Sequence, residues 1–285
     1  MLVDDPLMLA LHDLHRSYAG FHEFQPSLPA LLEQGGLLTD CVEINRVTGL
    51  LEPLTGDHIP PDLIRIQGSN FRESLIANGL LSRNRAVLVV LEKIYGSIDR
   101  LRQQDIYLVE ALTGFATWLS ERIGGERLFC SEYLEDAETN FSEIPHQDLC
   151  ALTFPNASFD LVLCNEVFEH VQDLGLAFEE IARVLKPGGR LVATCPMAFG
   201  QVDEIVKVRR NPHTGETHHL MDAEFHGDPV RPKAGSLVYR IPGWDVLTRL
   251  RDAGFTDTKM HHIASWKHGV LGSDLPGVLV IEAQR

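Results

Sequence analysis

The sequence predicts an α/β fold built on a doubly wound, mostly parallel sheet. The first observation is four runs that are apolar almost throughout: IYLVE (106 to 110), RLFCSE (127 to 132), FDLVLC (159 to 164) and RLVATC (190 to 195). Strands covered on both faces must read this way. The second is what lies between them. In GLAFEEIARVLKPGG, Phe178, Ile181, Ala182 and Leu185 form one helical stripe, with Glu179 and Glu180 toward its start and Arg183 and Lys186 toward its end. That charge order suits the helix dipole, and Pro187-Gly188-Gly189 is expected to break the helix. Strands alternating with helices imply parallel pairing through crossovers.

Bulk properties set limits on function. The chain has 285 residues, and 44% hydrophobic and 23% charged residues are ordinary globular values. A formal net charge of −15 argues against a surface that tracks nucleic-acid phosphates, because such binding draws on Lys and Arg. The densest basic group, Lys207 with Arg209 and Arg210, reads as a solvated face. The five cysteines, 41, 130, 150, 164 and 195, are odd in number and lack CxxC spacing, so neither a disulfide framework nor a closed zinc site is expected. Asp4 and Asp5 stand where a signal peptide needs positive charge, and no apolar run approaches the ~18 residues of a membrane span. A reducing, cytoplasmic setting without a membrane partner is expected.

Along the chain, residues 1–80 are mixed. Leu7, Leu11, Leu14 and Tyr18 suggest a short amphipathic helix, and LEPLTGDHIPPDLIRIQG suggests loops and short strands. SRNRAVLVVLEKIYG predicts a helix over about 82–95, with Ser82 as its cap and Gly96 as its stop. Residues 1–97 form an N-terminal extension and 98–285 the main domain. Within the latter, about 197–241 is a long polar excursion, which inside a compact domain is usually functional. GWDVLTRLRDAGF then gives a helix closed by Gly254, and TKMHHI (258 to 263) and GVLVIEA (277 to 283) give two final strands.

The stretch QDLCALTFPNASFDLVLCNEVFEHVQDLGLAFEEIARVLKPGGRLVATCP resembles the class I S-adenosylmethionine-dependent methyltransferases of the type 11 kind. The correspondence runs from Gln147 to Val162, through Glu166 to Val171, and from Glu180 to Val192; LRDAGF and the two strands after it resemble that family's last helix and antiparallel pair. The resemblance covers about 98–285. It implies a seven-stranded, Rossmann-like sheet with a C-terminal antiparallel strand pair. NFRESLIANGLLSRNRAVL is similar to the lead-in of a bacterial subgroup in which a cysteine-containing knuckle is found. Here no cysteine lies between Cys41 and Cys130, so no metal is expected in that segment.

The resemblance also implies a cofactor, S-adenosylmethionine, and places its contacts. Glu110 ends the first strand ahead of the turn EALTGFATW. Glu132 ends the second strand and is the candidate ribose clamp, with Tyr133 beside it. Asp148 and the Leu149 amide fall at the adenine position, and Asn165 and Glu166 follow the strand at 159 to 164. The turn keeps Gly114 but has Ala111, Leu112 and Ala116 where glycines are expected. A dinucleotide's pyrophosphate needs bare amides and several glycines there; S-adenosylmethionine carries no phosphate.

Methyl transfer asks for positioning and, with an oxygen or nitrogen acceptor, a base of near-neutral pKa. His170 in EVFEHV and His226 in the excursion are the candidates. The excursion, with His213, His218, His219 and His226, is expected to cover a small-molecule acceptor, a sugar or natural-product intermediate, contacted by His226, Asp228 and Trp244. The spacing of His219, Asp222 and His226 fits no familiar ligand signature, so no metal is expected there either. A methyltransferase is the reading adopted. A catalytically silent or non-methylating S-adenosylmethionine-binding protein and an NAD(P)-dependent oxidoreductase remain open, as does a homodimer.

Overall fold

The four apolar runs and the two C-terminal stretches become strands where the sequence expects them. The structure, a computed structural model, describes residues 6–135, 137–138, 141–211 and 214–285. Asp4, Asp5 and His213 lie outside the described residues. The main strands are β1 (Leu14–Tyr18), β2 (Ile106–Leu108), β3 (Leu128–Cys130), β4 (Phe159–Asn165), β5 (Leu185–Thr194), β6 (Asp257–Ala264) and β7 (Val278–Gln284). They form a seven-stranded sheet in the order β1-β6-β7-β5-β4-β2-β3. β2 runs parallel to β3 and β4, β4 parallel to β5, and β7 antiparallel to β5. The α/β reading with a mostly parallel core and an antiparallel C-terminal element is what the chain adopts. The helices used below are α1 (Leu38–Thr48), α2 (Ser82–Tyr95), α3 (Gly114–Ile123), α4 (Leu174–Val184) and α5 (Val246–Asp252). Among the described residues no helix is long and apolar enough to cross a membrane.

Two compact units result: residues up to Gln103 with Lys259–Val280, and Gln104–Thr258 with Ile281–Arg285. In the first, the amphipathic helix expected over Leu7 to Tyr18 is corrected. Only Pro6–Ala10 is helical, and Leu14–Tyr18 is a strand paired antiparallel with Ala264 to Met260. Sheet pairing overrides the weak helical spacing. The core here gathers Met8, Leu11, Val42, Leu75, Trp266 and Leu271. α2 begins at Ser82, but Ser82 is not its cap: its buried hydroxyl donates to the Leu271 carbonyl at 2.6 Å and accepts from the Leu271 amide at 2.7 Å. The side chain of Asn84 instead accepts from the Leu81 amide at 3.0 Å. Gly96 ends α2 in the left-handed conformation, φ 78°, as expected.

The second unit is built around β2 to β5. Tyr107 stacks on Phe159 and meets Phe129 and Phe154 edge-on, and its hydroxyl lies 2.8 Å from that of Ser131. All five cysteines are free; Cys41, Cys164 and Cys195 are buried. α4 stops at Val184, before Pro187, and the Pro-Gly-Gly bend lies inside β5, where the register with β4 shifts between Leu185 and Arg190. The excursion is not a bare loop. Ile205–Val206 pairs with Arg240–Ile241, Val208–Arg210 with Thr217–His219, and Phe225–His226 with Ser236–Leu237, all antiparallel. Lys207, expected on a solvated face, is half-buried and ion-paired with Glu224.

Candidate active site

Parallel strands deliver their C-terminal ends to one sheet edge, where ligands bind in open α/β folds. β2, β3 and β4 bring Glu110, Glu132, Asn165 and Glu166 to that edge. Glu110 is buried and accepts from the Asn165 side-chain amide at 2.7 Å. Glu132 Oε1 accepts from the backbone amides of Ala111 and Leu112, at 2.8 and 3.0 Å. Burial raises the Glu132 pKa against those two hydrogen bonds, and the charges of Glu110 and Asp228 raise it further. Glu166 has a left-handed backbone, φ 53°, held by its amide's bond to the Thr194 carbonyl at 2.8 Å. A non-glycine residue in that conformation marks stored strain, which concentrates at functional sites.

The turn after β2 differs from the expectation for its glycine. Gly114 is simply the first residue of α3, whose cap is Thr113: the Thr113 hydroxyl accepts from the Ala116 amide at 3.1 Å. The close approach in this turn is made by the Glu132 carboxylate, which explains why Ala111 and Leu112 are tolerated.

The two catalytic candidates meet. A 3-10 turn, Phe168–His170, presents His170, and the hairpin of Phe225–His226 with Ser236–Leu237 presents His226. Their rings are 5.2 Å apart, nearly perpendicular. Backbone bonds join the two segments: the Tyr239 amide donates to the Glu169 carbonyl at 2.8 Å, and His170 Nδ1 lies 2.8 Å from the Leu237 carbonyl. The hairpin needs Gly235, at φ +70°, because a Cβ there would stand 2.5 Å from the His226 carbonyl oxygen.

Between the imidazoles lies Glu169, fully buried. Its Oε1 is 3.6 Å from His170 Nε2 and 3.5 Å from His226 Nδ1, and neither carboxylate oxygen has a hydrogen-bond partner. Burial raises the Glu169 pKa, while the facing Glu169 carboxylate raises that of His226. The sequence did not single out Glu169. No periodicity distinguishes it from the acids around it, and its inward turn depends on a hairpin far along the chain.

The other expected residues are placed as follows. Asp228 accepts from the Val230 amide at 2.7 Å, the Ser236 hydroxyl at 2.5 Å and Arg231 at 2.8 Å; burial raises its pKa, but these bonds leave it below the usual value. Arg231 also donates to the Tyr133 carbonyl at 3.0 Å and lies over the exposed Tyr133 ring, tying the excursion to the segment after β3. Asp148 accepts from the Cys150 amide at 2.8 Å, and Leu149 is buried. Trp244 is buried with its indole N–H donated to the Phe199 carbonyl at 2.9 Å, so it anchors the excursion's end rather than presenting a ring to ligand. His218, His219 and Asp222 are exposed.

The family described as "Methyltransferase domain" matches residues 118–193, from within α3 to the end of β5. Residues 118–193 are similar to a methyltransferase domain. An uncharacterized methyltransferase of Mycobacterium tuberculosis is 34% identical over 62 residues, 20% of this chain and 32% of the relative. The uncharacterized protein YafE of Escherichia coli is 40% identical over 50 residues, 18% of this chain and 24% of the relative. The match thus spans about a third or less of these relatives' length. Among solved structures, an S-adenosylmethionine-dependent methyltransferase of Mesorhizobium loti aligns over 64% of this chain and 91% of its own, with 16% identity and a TM-score of 0.40. The 1,6-didemethyltoxoflavin-N1-methyltransferase of Burkholderia thailandensis, solved with 1,6-didemethyltoxoflavin and S-adenosylhomocysteine, aligns over 71% of this chain and 77% of its own, with 17% identity and a TM-score of 0.40.

Proposed function

We propose that this methyltransferase domain, taken as about 98–285, transfers a methyl group from S-adenosylmethionine to a small-molecule acceptor at the C-terminal edge of β2 to β5. One observation carries the reading: the amides of Ala111 and Leu112 are already donated to Glu132. A nicotinamide dinucleotide would need such amides for its pyrophosphate. In this turn they face a carboxylate, so a phosphate would meet like charge. A cationic cofactor with no phosphate meets the opposite situation, with Glu110, Glu132 and Asp148 as anionic partners.

S-adenosylmethionine, when bound, supplies a methyl on a sulfonium, whose departure leaves a neutral thioether. Glu132 would accept from the ribose hydroxyls through the carboxylate oxygen that the turn leaves available. Asp148 would accept from the adenine amino group. On the acceptor side, His170 Nδ1 is engaged by the Leu237 carbonyl, which leaves Nε2 to take the acceptor's proton as the methyl arrives. His226 stands beside it, and Arg231 and Asp228 hold the excursion over this edge. Leu220, Met221 and Phe225, apolar yet exposed on the same excursion, suit an acceptor with an apolar skeleton, such as a natural-product intermediate or a substituted sugar.

The test is the affinity of Glu132→Ala for S-adenosylhomocysteine. Loss of a charged acceptor should weaken binding by about 1.5–3 kcal/mol, roughly 10- to 150-fold. An unchanged dissociation constant would remove Glu132, and with it this placement of the cofactor.

A further inference from the structure

We propose that Glu169, His170 and His226 form a binding site for a first-row divalent transition cation. One donor atom from each lies within 4.8 Å of the other two. Two nitrogens and one carboxylate oxygen are a donor set for zinc or its neighbours, not for magnesium or calcium, which favour oxygen throughout.

Proton positions sharpen the argument. His170 Nδ1 is 2.8 Å from a backbone carbonyl, which can only accept, so that nitrogen carries the hydrogen and Nε2 presents a lone pair. His226 Nε2 is 3.1 Å from the Glu224 carboxylate, so it too carries a hydrogen, and in the neutral ring, the form that binds a cation, Nδ1 presents the lone pair. Both lone pairs face Glu169 Oε1, at 3.6 and 3.5 Å. Three electron-rich atoms therefore converge on one point inside the protein. A proton held between two of them would draw the pair to about 2.7–2.9 Å. The two spacings to Oε1 instead are near the edge of a tetrahedron with arms of about 2.1 Å, roughly 3.4 Å, and the two imidazole nitrogens lie within 4.8 Å of each other. Outer partners that fix each imidazole's tautomer are the usual second layer of a metal site. The buried Glu169 carboxylate, without a hydrogen bond, is the group such a cation would satisfy. Both imidazoles are partly exposed, at 19% and 32%, so an ion can reach them.

The assignment stands on this geometry alone. Its use in catalysis rests on the proposed function: His170 Nε2 is the proton acceptor in the cation-free chain, and a cation bound there would take over that task by binding an acceptor oxygen and lowering its pKa.

The full chain, stripped with a chelator, is titrated with Co²⁺ and read by visible absorption, then with Zn²⁺ in competition. One Co²⁺ per chain, with d–d bands of nitrogen–oxygen coordination displaced by Zn²⁺, is expected. His170→Ala and Glu169→Gln should each weaken uptake at least tenfold, whereas His219→Ala, exposed and outside the cluster, should leave it unchanged. Absence of cobalt bands in the wild-type chain, a measurement that needs no variant to fold, overturns the site. So does uptake by His170→Ala equal to wild type in a protein whose melting curve is unchanged. S-adenosylhomocysteine affinity in the same stripped protein separates this outcome from failure of the methyl-transfer reading.

Discussion

Each unit of this protein buries an ionisable side chain completely, and the two differ in how the charge is met. In the first unit Arg85 donates to four backbone carbonyls: His268 at 2.9 Å, Leu80 at 2.7 Å, Leu75 at 3.1 Å and Gly269 at 2.7 Å. In the second unit Glu169 is equally buried and accepts no hydrogen bond. A guanidinium that stitches four carbonyls is structural, since each group it satisfies would otherwise be orphaned. A carboxylate left facing two imidazole nitrogens does nothing comparable for the fold. Groups retained in that state belong to chemistry or to a ligand. The difference shows that burial alone does not mark a functional residue.

The comparison can be broken at Arg85. Burial pushes its pKa down to about 9, so the charge is already held at a cost that the carbonyls offset. Arg85→Ala would strand those carbonyls and leave a cavity, and should lower unfolding free energy by about 3–5 kcal/mol in urea titration. A loss under about 1 kcal/mol would mean that the fold does not depend on this group, and the contrast with Glu169 would fail.

His262 offers a third way to bury a titratable group, as the neutral form. Its Nε2 donates to the Pro276 carbonyl at 2.6 Å, Nδ1 has no partner, and burial pushes its pKa down to about 4 from an ordinary 6.5. In the unfolded chain the ring takes up a proton near pH 6.5, and in the folded chain only near pH 4. Its contribution is therefore complete above pH 6.5 and is lost as pH falls toward 4, about 3 kcal/mol in all. His262→Gln keeps a donor for the carbonyl and removes the titration. Unfolding measured at pH 7 and pH 4.5 should fall less for this variant than for wild type. Equal falls would show that His262 is not held neutral.

The parallel core was legible because strands covered on both faces must be apolar throughout, as FDLVLC is. Leu14–Tyr18 was not, since only Tyr18 in it is buried and its strand state is set by its partner, Met260 to Ala264. Among the candidate site residues, Glu110 and Glu132 were proposed from the ends of apolar runs, and His170 and His226 from the chemistry of a base. What sequence could not supply was the pairing of distant segments. The hairpin that brings His226 to His170 depends on Gly235 and on backbone bonds at Leu237 and Tyr239, and Glu169 turns inward only against that hairpin. The capture of the Ala111 and Leu112 amides by Glu132 was likewise hidden, because it replaces the glycines that the turn was expected to require.

The central claim, that the sheet edge of the second unit holds S-adenosylmethionine, is tested most directly by calorimetric titration of the wild-type chain with S-adenosylmethionine, S-adenosylhomocysteine and NAD. Both sulfur compounds should bind at one site per chain, and NAD should give no binding heat, because the amides its pyrophosphate would need are held by Glu132. Binding of NAD, or of none of the three, would contradict the account.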